Sequence, residues 1–186
     1  MTTTFVFVRH AQGYHNLDGD SRGEQAYYDP KHIDAALTPL GILQARHNDL
    51  GNETFDAIYS SPMKRCQQTL LNIYPISEKL LVILDDRLIE QPQGTYLCNK
   101  RLEKNIIVQS IPEQWNVDKV FTRNPFILNN SLDNNKIISF THDIKQKYPN
   151  GKVLIITHGK WIYNWLLKYK HILKYIDNCE VIRMTL

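Results

Sequence analysis

Short apolar, β-branched runs punctuate the chain at Phe5–Val8, Ala57–Tyr59, Leu81–Leu84, Val153–Ile156 and Val181–Met184. Most are continuous in hydrophobicity rather than alternating, the pattern of strands covered on both faces. Between them the period becomes helical. Thr38-Pro39 supplies a cap and a first-turn proline. Leu40, Leu43, His47 and Leu50 follow at helical spacing, and Gly51 closes the segment. Ser61-Pro62 opens a second helix in the same way, over Met63 to Tyr74. A third covers about Leu132 to Tyr148, with Ile137, Phe140, Ile144 and Tyr148 on one stripe, and Pro149-Asn150-Gly151 then turns the chain. A fourth runs from about Lys160 to Tyr169. Strands alternating with helices predict an α/β fold, a three-layer sandwich with a mostly parallel central sheet flanked by helices. No internal repeat interrupts the pattern, and Asn129 to Asn135 reads as a polar loop leading into the third helix.

Length and composition narrow the classes. A chain of 186 residues suits one domain, 1–186. At that size roughly 70% of the unfolded chain's surface can be buried, so a core forms without disulfides or metals. With 42% hydrophobic and 22% charged residues, a disordered tail, a fibre and a coiled coil are all excluded. A formal net charge of +3 with no long Lys/Arg run argues against nucleic acid as a partner. It still suits a small anionic substrate. Cys66, Cys98 and Cys179 are odd in number and form no CxxC pair, which predicts free thiols in a reducing compartment. The N-terminus lacks a basic n-region, and no apolar stretch approaches the ~18 residues of a membrane span. The expectation is a cytoplasmic protein with no membrane partner; no oligomeric state follows from the pattern.

A parallel sheet binds ligands at the carboxyl ends of its strands, so the residues after each run carry the chemistry. They are Arg9-His10 through Asn16 after the first, and Ser60-Ser61-Pro62 with Arg65 after the second. Asp85-Asp86-Arg87-Leu88-Ile89-Glu90 follows the third and Thr157-His158-Gly159 the fourth. Two arginines, two histidines and a glutamate at four strand ends suit phosphoryl transfer to a histidine. Arginine matches phosphate oxygens bidentately. A neutral imidazole can attack phosphorus and carry the phosphoryl group. A protonated carboxyl can supply the leaving alkoxide with its proton. A second histidine, if cationic, adds a charge-assisted bond. Such a site requires no metal and no cofactor.

The segment FVFVRHAQGYHN resembles the Arg-His-Gly signature of the histidine phosphatase superfamily, in the branch that includes cofactor-dependent phosphoglycerate mutases; Ala11 stands where glycine is commonest. LTPLGILQA (Leu37–Ala45), SSPMKRCQQT (Ser60–Thr69), RLIEQPQG (Arg87–Gly94), VLIITHGKWI (Val153–Ile162) and NCEV (Asn178–Val181) are similar to later segments of that family, in order. The resemblance implies that His10 is the phosphorylated nucleophile and Glu90 the general acid. It places Arg9, Asn16, Arg65 and His158 in the phosphate pocket, with the Gly159 N–H within reach.

Plainer readings stand beside these. His10 and His158 could be structural histidines, and Arg65 could pair with an acid on a helix surface. Asp85, Asp86 and Glu103 compete with Glu90. His15 reads as substrate-side or structural, and a His10/His15 metal pair lacks further ligands. Trp161, Trp165 and Tyr169 read as packing, and the cysteines as buried bystanders. The mutases of the family carry an added shielding segment between the acid and the second histidine. Here the Gly94–Asn150 stretch is short, which favours a phosphatase acting on a small phosphorylated metabolite. Mutase-type phosphoryl transfer and a non-catalytic phosphate-binding module are the alternatives. Gln12, Tyr14, Arg22 and Gln93 to Arg101 are the expected outer pocket.

Overall fold

The computed structural model describes residues 2–73, 81–90, 96–121 and 134–186. Its strands are β1 (Thr4–Arg9), β2 (Ala57–Ser60), β3 (Val82–Asp85), β4 (Asn116–Lys119), β5 (Lys152–Thr157) and β6 (Val181–Thr185). Its α-helices are α1 (Tyr14–Arg22), α2 (Pro39–Arg46), α3 (Lys64–Asn72), α4 (Lys104–Ser110), α5 (Asn134–Lys147) and α6 (Gly159–Lys170). The sheet order is β4-β3-β2-β5-β1-β6. Every neighbouring pair is parallel except β1 with β6, so the mostly parallel α/β sandwich read from the sequence is the observed fold.

Side-chain alternation along β1 divides the core into two layers. Phe5 and Phe7 join Val153, Ile155, Phe140, Trp161 and Trp165 on one face. Val6 and Val8 join Leu154, Ile156, Ile58, Cys66 and Leu70 on the other. Helices α5 and α6 thus cover one face and α3 the other. The aromatic stripe of α6 is packing, as expected: Trp161 and Trp165 are fully buried, and the Trp165 ring centroid lies 4.7 Å from that of Phe7. Among the described residues no helix is long and apolar enough to cross a membrane.

Several local expectations need correction. Helix α2 begins at Thr38-Pro39 as expected, with Thr38 Oγ1 accepting from Gly41 N, but it ends at Arg46. Its predicted apolar stripe is not its buried face. Leu40 and Leu43 are about half exposed, while Gly41 and Ala45 are buried. The cause is a close approach: a Cβ on Gly41 would lie 2.1 Å from the Gln12 carbonyl oxygen. Only small residues can face the backbone there, so the leucines turn outward.

Helix α3 starts at Lys64, two residues after Ser61-Pro62. Its first amide is taken by Asp34 Oδ1 at 2.7 Å rather than by Ser61. Tyr74, Leu132 and most of the Asn129–Asn135 loop lie outside the described residues; Asn134 and Asn135 already belong to α5. The sequence reading missed α1, α4 and β4. Strand β4 reads Asn-Val-Asp-Lys and sits at the sheet edge, half exposed, so it carries no apolar run to betray it.

Candidate active site

Strand β5 inserts between β1 and β2, which brings Thr157 into register with Arg9. The His10 amide then donates to the Thr157 carbonyl at 2.9 Å. Four strand ends thereby converge on a cavity of about 520 Å3, whose wall includes Arg9, His10, Asn16, Arg65, Glu90 and Gly159. His158, the remaining predicted residue, is fully buried behind that wall, with its ring centroid 5.1 Å from that of His10.

The tautomer of His10 follows from its neighbours. Nδ1 lies 2.8 Å from the Ala11 carbonyl oxygen, which can only accept, so Nδ1 carries the proton. The lone pair is left on Nε2, and Arg65 Nε donates to it at 3.2 Å. Burial, then Arg65, His158, His15 and Arg9, hold the imidazole well below the usual histidine range. These contacts favour a neutral His10 imidazole with its Nε2 lone pair turned toward Arg65. Ala11 is fully buried, has no left-handed backbone, and donates from its amide to Thr69 Oγ1 at 3.0 Å. The common glycine is not needed there.

Arg65 is 1% exposed and lies at the centre of the constellation. Besides His10, its Nη1 donates to the Cys98 carbonyl at 2.9 Å. Its Nη2 donates to Asn99 Oδ1 at 3.3 Å and to His158 Nδ1 at 3.2 Å. None of these partners is a carboxylate, so the guanidinium charge remains for a phosphate. Since Arg65 can only donate, His158 Nδ1 accepts. His158 Nε2 then donates to Ser61 Oγ at 2.9 Å. Burial, with Arg65 second, holds His158 well below its ordinary range. The neutral form of the second histidine is thus favoured, and its contact in the site is with Arg65.

Arg9 donates through Nη1 to the Ile176 carbonyl at 2.6 Å, and its Nε is buried with no hydrogen-bond partner among the described residues. That unspent donor lies beside the start of α6, where a Cβ on Gly159 would come within 3.3 Å of it. Asn16 Oδ1 accepts from Gly13 N at 3.0 Å and from Asn178 Nδ2 at 3.5 Å. This fixes the amide flip, and Asn16 lines the cavity. The N-terminal end of α6 adds positive potential to the same wall.

Glu90 is held at that helix end. Its Oε1 accepts from Trp161 N at 3.1 Å and its Oε2 from Lys160 N at 3.4 Å. The competing acids are occupied elsewhere. Asp85 grips Arg87, and Asp86 forms a buried two-bond pair with Arg101 at 2.8 and 2.9 Å. Glu103 precedes α4. Of these four, only Glu90 lines the cavity.

Sequence reasoning placed Cys98 and Asn99 in the outer pocket but missed their bonds to Arg65, and it missed Asp34 and Asn178 altogether. No motif spacing marks them; they arrive through loops whose path only the fold sets. Cys66 touches His158 with its Sγ 3.6 Å from Nε2, but burial pushes its thiol up to about 12, so it is neutral as expected of a bystander. His15 is buried in the cavity wall, its ring centroid 5.5 Å from that of His10. Among the described residues no group of three His, Cys, Asp or Glu side chains is arranged to hold a metal ion. Gln93 lies outside the described residues; Tyr96, Cys98 and Asn99 line the cavity.

Phosphoserine phosphatase 1 of Hydrogenobacter thermophilus is 28% identical over 162 residues, covering 82% of this chain and 69% of the relative. A candidate phosphoserine phosphatase of the same organism is 30% identical over 156 residues, covering 82% of this chain and 71% of the relative. Among solved structures, a phosphoserine phosphatase of Entamoeba histolytica in complex with 3-phosphoglyceric acid shares the fold. Its TM-score is 0.64 at 23% identity, covering 97% of this chain and 89% of the other. The profile of the histidine phosphatase superfamily (branch 1) matches residues 5–184, and the chain belongs to that superfamily.

Proposed function

We propose that residues 1–186 act as one phosphatase domain that hydrolyses a small phosphomonoester through a phosphohistidine at His10, with no metal or cofactor. The observation that carries this reading is the His10 tautomer. Nδ1–H is tied to Ala11 and the Nε2 lone pair faces the Arg65 guanidinium, where phosphate would bind. The names of the relatives support hydrolysis of this class. Nε2 attacks phosphorus as the ester P–O bond breaks, and Glu90 gives its proton to the departing alkoxide. Water then attacks the phosphohistidine, Glu90 takes the water's proton, and inorganic phosphate leaves. Arg9, Arg65, Asn16 and the Gly159 amide supply donors to the phosphoryl oxygens. His158 keeps Arg65 in place. A dianion entering the site favours the protonated form of the neighbouring carboxyl, which readies Glu90 for the first step. Three free thiols, Cys66, Cys98 and Cys179, support a cytoplasmic setting.

The test is a rapid quench during turnover in EDTA. Acid-labile, alkali-stable phosphate should appear on the wild type and be absent from His10→Ala, together with activity. Full hydrolysis by His10→Ala would sink the reading.

A further inference from the structure

Beyond the phosphate donors, the cavity wall is a row of rings. From His10 the centroids step 5.5 Å to His15, 6.3 Å from His15 to Tyr27, and 5.2 Å from Tyr27 to Tyr96. All four residues line the cavity. His15 belongs to this surface as a neutral ring. It is 5% exposed, its Nδ1 has no hydrogen-bond partner, and burial, then Arg65 and Arg9, holds it well below the usual range. It therefore offers no full charge to a second anionic group. Of the two lysines on the wall, Lys174 pairs with Glu180, and the Lys160 ammonium lies over the Tyr163 ring, 4.3 Å from its centroid.

We infer that the His15–Tyr27–Tyr96 wall receives the leaving group, and that the substrate is a phosphomonoester whose alcohol carries an aromatic or heteroaromatic ring. The inference rests on the phosphatase reading for turnover but not for binding. A ring beside the reacting phosphate meets offset-stacked or edge-to-face partners at the 4.5–7 Å spacing that aromatic pairs prefer. A short aliphatic alcohol leaves that wall uncovered.

The experiment separates binding from chemistry. Affinities of phenethylphosphonate, cyclohexylethylphosphonate and ethylphosphonate are measured by calorimetry on the full chain, beside kcat/KM for the three matching phosphate esters, whose leaving alkoxides are similar in basicity. Two ring contacts should favour phenethyl over ethyl by roughly tenfold, and over cyclohexylethyl severalfold, in both measurements. Tyr96→Leu should cut the phenethyl-to-ethyl ratio at least severalfold, and Tyr96→Phe should keep it. A ratio near one, a ratio unchanged in Tyr96→Leu, or a stronger preference for phosphoserine than for phenethyl phosphate overturns the inference. Lack of phosphohistidine on every ester overturns the phosphatase reading instead, and the phosphonate affinities still decide the wall.

Discussion

Arg65 Nε donates to His10 Nε2 across 3.2 Å, so the guanidinium and the imidazole lone pair face each other directly. A phosphoryl group entering between them exchanges that bond for oxygen contacts to Arg65 and an in-line approach by Nε2. In the proposed reaction the arginine, after burial, keeps the imidazole neutral and aimed, and then stabilises the charge of the transition state.

Removing that guanidinium leaves a buried dianion partly unpaired. Arg65→Ala should cost roughly 3–5 kcal/mol of transition-state stabilisation, or about 10² to 5 × 10³ in kcat/KM. Arg65→Lys should recover only part, because an ammonium cannot reach His10, His158 and Asn99 together. Inhibition by phosphate or vanadate should weaken in parallel; unchanged oxyanion affinity in Arg65→Ala would place the residue outside the site.

Glu90→Gln should lower the rate on an alkyl phosphate by about 10² to 10⁴, since its alkoxide needs a proton. On an aryl phosphate with a good leaving group the loss should be clearly smaller. Asp86→Asn should behave differently: it breaks the buried pair with Arg101, lowering the unfolding midpoint without a leaving-group-dependent rate loss. Equal losses on the two esters in Glu90→Gln would remove Glu90 as the acid.

Stability should fall as the pH drops below about 6.5. The folded-state values of His10, His15 and His158 lie well below the unfolded value of about 6.5. The unfolded chain therefore binds more protons under acidic conditions. Each such histidine contributes stability that is fully present above the unfolded value and is lost as pH falls toward the folded one. The slope is about 1.4 kcal/mol per pH unit per histidine. The buried carboxyls of Asp34 and Asp86, shifted upward by burial, act in the opposite direction and offset part of this at the acidic end. Urea midpoints at a series of pH values between neutral and mildly acidic conditions measure the slope. A His10→Gln variant should show a shallower one.

Asp34 should act at a distance through α3. Its carboxylate accepts from the first amide of the helix that carries Arg65, and its own φ is +48. Asp34→Ala loses the cap and places a strained alanine there, and should cost about 1 kcal/mol or more of stability. It should also weaken vanadate binding by loosening Arg65. Asp34→Asn keeps both an oxygen acceptor and tolerance of the left-handed region, and should retain most of each. Unaltered vanadate affinity in Asp34→Ala would confine the residue to stability.

The sequence alone determined the strands that are continuous in hydrophobicity, the helices between them and the residues that follow each strand. Burial on both faces writes an unbroken apolar run into β1 and β5, and the chemistry sits at a fixed offset from those runs. It could not determine polar edge strand β4 or helix α1, whose side chains are largely solvated and obey no apolar period. Nor could it say which face of α2 is inward, because that depends on how closely the Gln12 backbone approaches Gly41. The family resemblance singled out Glu90 over Asp85, Asp86 and Glu103, but apolar period and spacing did not. All four lie near one another in sequence, and only the docking of α6 and the Arg101 pair decides which carboxyl faces the cavity. The neutral form of His158, favoured by burial and then by Arg65, and the aim of the His10 Nε2 lone pair at Arg65 join residues far apart in sequence, and so depend on the placement of β5 between β1 and β2.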